Sequence, residues 1–405
     1  MIRLVLRLSL ALFLMQVGFH GYTASLPVDL SRAGMADSEI GLIVGVAALV
    51  QIPAALIAGG LIDWFGGIRL FVVGGVAYVG ASLLLLAPGV EAGGAAWPFV
   101  AARVLQGIGI GLALPAALSA VPRLVSTTRQ GMALSVGGLA HNMTLVVAPP
   151  ISLIVLDAVG LDGVAVAVLA CLAVAFALTL IRPFPSLPRP QHEGRQLRGA
   201  LRFTYRREWA SLLAITLLFG AHWGLVIAYL PQRAEAAGAA IGLFFAADGV
   251  GVLLARLPVG WLSDRVAPLR LMLLGIAVTA IGVGLLLLSP TTPLLMLAGL
   301  LTGSGAAFIT TPTLVGLTRR STDADRGSAF ALFSAAFAIA LVIGSIGAAP
   351  VIDTLGFEAA MAILLGALVS SAVVAMLDRG LATNDRGPAA PAHELAEAEA
   401  AAVPQ

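Results

Sequence analysis

The chain has 405 residues, of which 59% are hydrophobic and 11% charged, and its formal net charge is +2. Its mean hydropathy is +1.00, and a soluble fold of this length could not bury so much apolar surface, so the composition excludes that class and places the chain in lipid. Because apolar runs of about 20 residues fit membrane-crossing helices, we predict an all-α membrane protein rather than an outer-membrane barrel, whose strands alternate in polarity.

The apolar runs, cut at charged, glycine or proline links, predict twelve transmembrane spans, which we number 1 to 12 in chain order. They lie near residues 8–28, 38–61, 69–88, 97–121, 130–156, 163–181, 209–231, 239–262, 269–288, 292–316, 328–350 and 357–377. Span 1 follows basic residues but shows no small-residue cleavage site before its polar link, so we expect a retained span rather than a signal peptide.

The spans divide into two groups of six. We predict an N-terminal six-helix bundle over residues 1–181 and a C-terminal six-helix bundle over residues 209–378. Between them, residues 182–208 contain four prolines and many arginines, which indicates a basic cytoplasmic linker. Residues 379–405 are rich in Ala, Pro and Glu without an amphipathic pattern, and we expect a disordered cytoplasmic tail.

The positive charges of the chain are all arginines and are distributed unevenly between the links. If the N-terminus is cytoplasmic, the outer links hold only Arg32 and Arg233, and the other links and tails hold nearly all of the rest. The positive-inside rule then predicts a multi-pass protein of the inner (cytoplasmic) membrane with both termini in the cytoplasm. An odd number of spans would destroy this sorting.

Two stretches in the halves of the chain resemble each other. Residues 59–69 and residues 260–270 each end an apolar run, turn through glycine or proline with a carboxylate and an arginine, and begin another apolar run. Further pairs occur at one constant offset: Asp157 and Gly160 with Asp353 and Gly356, and Gln106-Gly107 with Thr302-Gly303. We therefore predict two homologous halves related by an axis along the membrane normal.

These motifs resemble those of the major facilitator superfamily. The loop between the second and third helices of that family is matched twice, by Gly59, Leu61, Asp63, Gly66 and Arg69 and then by Gly260, Leu262, Asp264, Arg265 and Arg270. Trp64 and Ala267 depart from the motif. Span 4 carries Arg103-Val104-Leu105-Gln106-Gly107-Ile108-Gly109, which is similar to the family's helix 4 signature, whereas Ala148-Pro149-Pro150 matches its antiporter motif poorly.

The resemblance implies two six-helix bundles that rock around a midplane site, and it assigns a gating role to the loop residues. Asp63 would face the start of span 11 near Gly327, and Asp264 would face the start of span 5 near Gly131, because a carboxylate is stabilised beside a helix N-terminus. Glycine at 59 and 66 would let a helix end abruptly. The alternative is that these charges only anchor the topology.

Five ionisable side chains lie deep in the predicted spans, at His20, Arg103, His141, His222 and Asp248. Their distances from the span ends place the three histidines and Asp248 near mid-membrane and Arg103 nearer the outer side. Together they form one belt on spans 1, 4, 5, 7 and 8, where ionisable groups are functional candidates. Histidine and a buried aspartate can exchange protons, and Arg103 could bind an anionic group or act on a neighbouring carboxylate. Alternatively, each histidine is a structural residue bonded to a backbone carbonyl. We add polar or aromatic neighbours as pocket candidates: Gln16, Tyr22, Asn142, Trp223 and Tyr229.

The sequence thus predicts a secondary active transporter that moves a small organic molecule, with proton-coupled efflux favoured by resemblance to drug and sugar efflux members. A proton-coupled importer or facilitator is the alternative, and a non-transporting membrane sensor or assembly protein is the alternative from another class. A membrane enzyme lacks support because no nucleophile constellation is visible. We expect a monomer that contacts lipid, substrate and protons, without cofactor, metal or nucleic acid, and without direct ATP drive since no P-loop occurs.

Overall fold

The computed structural model describes residues 2–90, 94–125, 130–181, 184, 205–263, 265–321 and 326–382. Within these ranges all regular secondary structure is helical, which confirms the predicted all-α fold class. Large apolar side chains such as Ile154 and Leu254, exposed by 69% and 65%, cover the outside of the helices. Exposed apolar surface on that scale fits contact with lipid.

The helices follow the predicted spans with shifted ends. Span 1 comprises Ile2–His20 and Ser25–Arg32, and it is followed by span 2 (Asp37–Phe65), span 3 (Gly67–Leu85), span 4 (Trp97–Ala120) and the helical segment Gln130–Leu180. The second half contains span 7 (Ala210–Ala236), span 8 (Ile241–Ser263), span 9 (Pro268–Leu285), span 10 (Thr292–Arg319), span 11 (Arg326–Val342 and Ala349–Leu355) and span 12 (Phe357–Leu377). One π-helical turn, Ile343–Gly347, joins the two parts of span 11.

The segment Gln130–Leu180 supplies both span 5 and span 6. At Gly160 the backbone has φ 74° and ψ −175°, which breaks the helix. His20 and Gly21 of span 1 contact both parts of this segment. The His20 ring lies 5.6 Å from the His141 ring, and a Cβ added at Gly21 would lie 3.0 Å from Val168. A straight helix would separate residues 141 and 168 by about 40 Å, so the chain folds back at Gly160. Eleven helical stretches of the described chain are long and apolar enough to cross a membrane, and division of this one gives twelve spans.

The duplication is visible in the backbone as well as in the sequence. Gly160 and Gly356, which share one place in the repeat, both have a positive φ, of 74° and 86°. Each glycine turns the chain between the last two spans of its half, a conformation that other residues rarely adopt. The loop motif is less symmetric, since Gly66 has φ 86° whereas Ala267 has φ −55°.

Helix packing repeats between the halves. Span 1 packs on spans 5 and 6 as span 7 packs on spans 11 and 12, while spans 2 and 3 pack on span 4 as spans 8 and 9 pack on span 10. The two bundles meet where span 2 packs on span 11 and where span 5 packs on span 8. The predicted six-helix bundles are therefore confirmed as an architecture.

We call the face that carries Ile2 and Ala382 the terminal face and the opposite face, which carries Gly356, the distal face. On the terminal face, Phe184 is described within the predicted linker, and the Arg7 guanidinium lies 3.9 Å from the centroid of its ring. Residues Arg379–Ala382 form a short helix at the start of the predicted tail. Most of the linker and residues 383–405 lie outside the described ranges, so their predicted states stay predictions.

Candidate functional site

A polar network runs between spans 1, 3 and 5 in the N-terminal bundle. The Gln16 side-chain amide nitrogen lies 3.1 Å from His141 Nδ1, and the Tyr78 hydroxyl donates to Gln16 Oε1 at 3.2 Å. The His20 ring lies next to the His141 ring, with 5.6 Å between the centroids. The structure thus brings together three of the predicted site residues, and it adds Tyr78.

Arg103 lies one layer closer to the distal face and is 1% exposed. Its Nη1 donates to Gln106 Oε1 at 2.9 Å, and its Nη2 donates to the Tyr22 carbonyl at 3.5 Å. The Tyr22 hydroxyl in turn donates to Ser82 Oγ at 3.0 Å. No carboxylate forms an ion pair with Arg103 among the residues that the structure describes, so its charge is held by neutral acceptors.

Several buried polar atoms around span 1 have no hydrogen-bond partner in the described part of the chain. They are both ring nitrogens of His20, Thr23 Oγ1, Arg103 Nε and Gln106 Nε2. Buried polar atoms are nearly always paired, so each exception needs an explanation. Two of these residues, Thr23 and Arg103, line a small cavity between the bundles, together with Phe19, Val44, Gly45 and Ala48 of the N-terminal bundle and Gly224, Ile227, Leu341 and Ser345 of the C-terminal bundle.

Asp248 lies in the C-terminal bundle, apart from Arg103. Its Oδ1 accepts a hydrogen bond from the Thr302 hydroxyl at 2.9 Å, and the residue is 8% exposed. A Cβ added at Gly303 would overlap the main chain of Asp248, so spans 8 and 10 are in close contact here. The carboxyl group therefore lies between these two spans, and the described residues contain no ion pair to it.

The remaining candidates of the C-terminal bundle lie along span 7. His222 Nδ1 lies 2.5 Å from the Phe219 carbonyl of its own helix, which fits the structural alternative stated for the histidines. Trp223 stacks on Phe244 with 6.2 Å between ring centroids, and Tyr229 donates to the Ser345 carbonyl at 2.6 Å. Asn142 is 7% exposed on span 5, next in sequence to His141.

The loop motif between spans 2 and 3 is described in part. Gly66 makes the predicted turn, with φ 86°. The expectation that Gly59 ends a helix is wrong, because span 2 continues for six more residues to Phe65, and Gly260 likewise lies inside span 8. Arg69, Arg265 and Arg270 are exposed at the terminal face. The Asp63 side chain and Asp264 lie outside the described part, so their latch contacts stay predictions.

Sequence reasoning missed three side chains that hold the candidates in place: Tyr78, Ser82 and Thr302. The repeat contained a signal for Thr302, because it takes the place of Gln106, and each of them bonds to a deep charged residue of its own half. No comparable signal marks Tyr78 or Ser82. No group of three histidine, cysteine or acidic residues in the described ranges is arranged to bind a metal ion.

The chain matches the family model described as Major Facilitator Superfamily twice, over residues 8–238 and 212–402. It is also 29% identical over 198 residues to the uncharacterized MFS-type transporter Rv1250 of Mycobacterium tuberculosis. That alignment covers 45% of this chain and 32% of the relative, so the chain spans about a third of the relative's length.

Two solved structures show a similar fold. The nucleoside transporter NupG aligns with a TM-score of 0.72 and 15% identity, over 93% of this chain and 98% of that one. The human organic anion transporter MFSD10 (TETRAN) aligns with a TM-score of 0.64 and 16% identity, over 92% of this chain and 99% of that one. At such identities the likeness shows the fold alone.

Proposed function

The chain belongs to the major facilitator superfamily and is a multi-pass membrane transporter, and from that membership we propose that it is a secondary active transporter that exports a small organic molecule in exchange for protons. The cavity between the bundles is its substrate site. We further propose that the terminal face is cytoplasmic and that the protein resides as a monomer in the inner membrane, in line with the arginine distribution.

The observation that carries this proposal is the set of unpaired polar atoms beside the cavity. Thr23 and Arg103 each carry a buried polar atom without a described partner, and both residues line a space that both bundles enclose. A ligand there would supply the missing hydrogen bonds, and it would touch both moving parts at once. Binding between two bodies is what couples occupancy of a site to their relative motion.

The contacts between the bundles support alternating access. On the distal face, Arg32 of the N-terminal bundle pairs with Glu235 of the C-terminal bundle at 2.7 Å, and Gln232 donates to Asp37 Oδ1 at 3.2 Å. Below them, Tyr229 bonds to Ser345 where span 11 meets span 2. These contacts close the distal side of the cavity, and their separation would open it.

Proton coupling is supported by Asp248. Burial of an ionised carboxylate without a neighbouring cation is costly, and Thr302 is its one described hydrogen-bond donor. We therefore expect the proton occupancy of Asp248 to change when spans 8 and 10 move with their bundle. The His20 and His141 pair is a second place where a proton could be held. Export rather than import is favoured by the resemblance to efflux members.

The proposal is tested with purified full-length protein in two steps. A thermal-shift screen against amphipathic drugs, sugars, amino acids and nucleosides first identifies a compound that stabilises the protein. Uptake of that compound into inverted vesicles is then measured with and without an imposed proton gradient. The proposal predicts uptake that collapses when an ionophore removes the gradient, and gradient-independent uptake would overturn the coupling.

A further inference from the structure

Arg256 on span 8 differs in its surroundings from Arg103, the other deep arginine of the described spans. It lies seven residues inside the end of its helix at Ser263, yet its side chain is exposed. Arg103 has two hydrogen-bond acceptors, whereas Arg256 forms no hydrogen bond or ion pair with any of the described residues. A guanidinium with five donors and no acceptor inside a membrane span needs a partner.

The helix seam between the bundles shows where Arg256 points. Three residues of span 8 face span 5 at intervals of seven, namely Gly242, Gly249 and Arg256. A Cβ at the first glycine would lie 3.0 Å from Pro150, and one at the second would overlap Val146. At the third level an Arg256 nitrogen lies 3.9 Å from the Cβ position of Gly138. Arg256 therefore extends into the cleft between the bundles rather than into lipid.

The two glycines and the arginine divide this seam into a closed and an open part. Toward the distal face, spans 5 and 8 touch through glycine. Toward the terminal face, the long side chain of Arg256 occupies the space next to Gly138, which has no side chain. His141 lies one turn further along span 5, on the same side as Gly138. The Arg256 guanidinium thus lies on the terminal side of the His20 and His141 pair.

The deep charges of the described spans are unbalanced. Three charged residues lie six or more residues inside the ends of their helices: Arg103, Asp248 and Arg256. Asp248 is turned toward Thr302 in the C-terminal bundle, while the two arginines face the cavity and the cleft. Among the described residues, the deep part of the route between the bundles thus carries two positive charges and no carboxylate that neutralises them.

We infer that this route selects organic anions and that Arg256 binds the anionic group of the substrate on the terminal side of the cavity. The inference rests on the proposed function and names its substrate class. The planar guanidinium suits carboxylates and sulfonates, to which it can donate two parallel hydrogen bonds. Arg103 would meet the same group at the distal end of the cavity, so that an anion moves between two cationic positions.

The charge of the route can be measured without knowledge of the substrate. In a Cys171→Ala background, Gly138→Cys places the single thiol of the protein beside Arg256. We measure the ratio of its reaction rate with sulfonatoethyl methanethiosulfonate to its reaction rate with the trimethylammonioethyl reagent. We expect this rate ratio to exceed the ratio for a free thiol in solution. Arg256→Gln should lower that rate ratio about tenfold, because one charge at about 5 Å acts on the two reagents in opposite directions. Arg256→Lys should preserve the ratio, and so should Arg270→Gln at the exposed start of span 9.

The substrate class is tested with matched acids and amides: naphthalene-2-sulfonate, benzoate and decanoate against naphthalene-2-sulfonamide, benzamide and decanamide. We expect at least one acid to bind the purified protein more tightly than its amide. Arg256→Gln should lower the affinity for that acid about tenfold and leave the affinity for the amide unchanged. Failure of every acid to exceed its amide, or a thiol ratio that Arg256→Gln leaves unchanged, overturns the inference. Coupled transport of a neutral or cationic solute would also overturn the inference of an anionic substrate, but it would leave the proposed transport function intact. If the protein transports no solute at all, the proposed transport function itself is refuted.

Discussion

Arg32 at the end of span 1 and Glu235 at the end of span 7 form an ion pair across the distal face, with 2.7 Å between Nη2 and Oε1. The same guanidinium nitrogen lies 2.7 Å from Asp157 Oδ1 in its own bundle. Arg32 thereby links a fixed partner in the N-terminal bundle to a partner that moves with the C-terminal bundle. Loss of Arg32 should therefore shift the equilibrium between the closed and the open distal face toward the open state.

Arg32→Gln should populate the state in which the distal face is open. The side chains of Arg32 and Glu235 are each 38% exposed, and exposed pairs contribute about 0.2–1 kcal/mol, so we expect the ratio of open to closed molecules to rise by a factor of about 1.4 to 5. The measurement is the distance distribution between spin labels at Asp162→Cys and Ala237→Cys in a Cys171→Ala background, where the long-distance fraction should grow.

The matched control is Arg233→Gln. Arg233 pairs with Glu358 on the same face at 2.6 Å, but both residues belong to the C-terminal bundle. Loss of this pair should leave the distance distribution between the bundles unchanged. An equal shift in both variants would mean that loss of charge on the distal face, rather than the contact between bundles, sets the equilibrium.

Asp248→Asn should abolish the coupling of transport to the proton gradient without blocking movement of the substrate. Asparagine keeps an oxygen that can accept the hydrogen bond from Thr302, so the fold should be preserved, but it cannot exchange a proton. We expect gradient-driven transport to be lost while exchange of substrate across vesicles without a gradient is retained. Thr302→Val removes the hydrogen bond and keeps the carboxyl group, and it should retain the drive. Full gradient-driven transport by Asp248→Asn would exclude the assigned role.

Gly303→Ala should destabilise the C-terminal bundle. The added methyl group would overlap the main chain of Asp248 on span 8, whereas a methyl group at Gly366 on span 12 would meet nothing within 4 Å. Overpacking of this kind costs about 1–3 kcal/mol, so the thermal unfolding midpoint of Gly303→Ala in detergent should fall. Gly366→Ala should leave the midpoint unchanged or raise it slightly, and similar losses in both variants would contradict the close contact of spans 8 and 10.

Asp378 should make stability depend on pH at the terminal face. Burial alone would raise its pKa, but hydrogen bonds from Arg320 and Ser211, together with the Arg320 charge, hold the pKa below its ordinary value of 3.8. Because the folded-state pKa is lowered, the stabilisation is complete above the unfolded value and disappears as pH falls through the folded one. Asp378→Asn should therefore cost about 1 kcal/mol at pH 7.

The measurement is the thermal midpoint of the detergent-solubilised protein between pH 7 and pH 3. The gap between wild type and Asp378→Asn should narrow below about pH 4. Asp353→Asn, at an exposed carboxylate of the distal face, should show neither the loss at pH 7 nor the narrowing. A gap that stays constant across this range would show that Arg320 and Asp378 contribute through packing rather than charge.

The span count and the duplication could be predicted because they depend on local signals. Apolar length decides where the chain crosses the membrane, and Gly160 and Gly356 mark equivalent turns whose positive φ favours glycine. The break within span 1 at residues 21–24 was missed, because the short polar stretch from His20 to Ser25 contains no acidic residue, arginine or proline that would end an apolar run.

The sequence predicted how deep the site residues lie in the membrane, but not which residues they contact. Distance from a helix end placed His20 and His141 at one level, and their rings are adjacent. The same reasoning placed Asp248 at a depth similar to that of the histidines, but it could not show that span 8 turns this carboxyl group toward Thr302. Rotation about the helix axis depends on packing against neighbours, and small residues such as Gly303 and Gly249 decide it only in three dimensions.

We propose that transport requires the two bundles to part at the distal face. The most direct test is a reversible cross-link between Arg32→Cys and Glu235→Cys in the Cys171→Ala background, with flux of a solute from the binding screen measured before oxidation, after it and after reduction. We predict that the cross-link abolishes flux and that reduction restores it, while the cross-link between Arg233→Cys and Glu358→Cys, within one bundle, leaves flux intact. Undiminished flux through the protein cross-linked at Arg32→Cys and Glu235→Cys would show that transport does not require the bundles to part at this face.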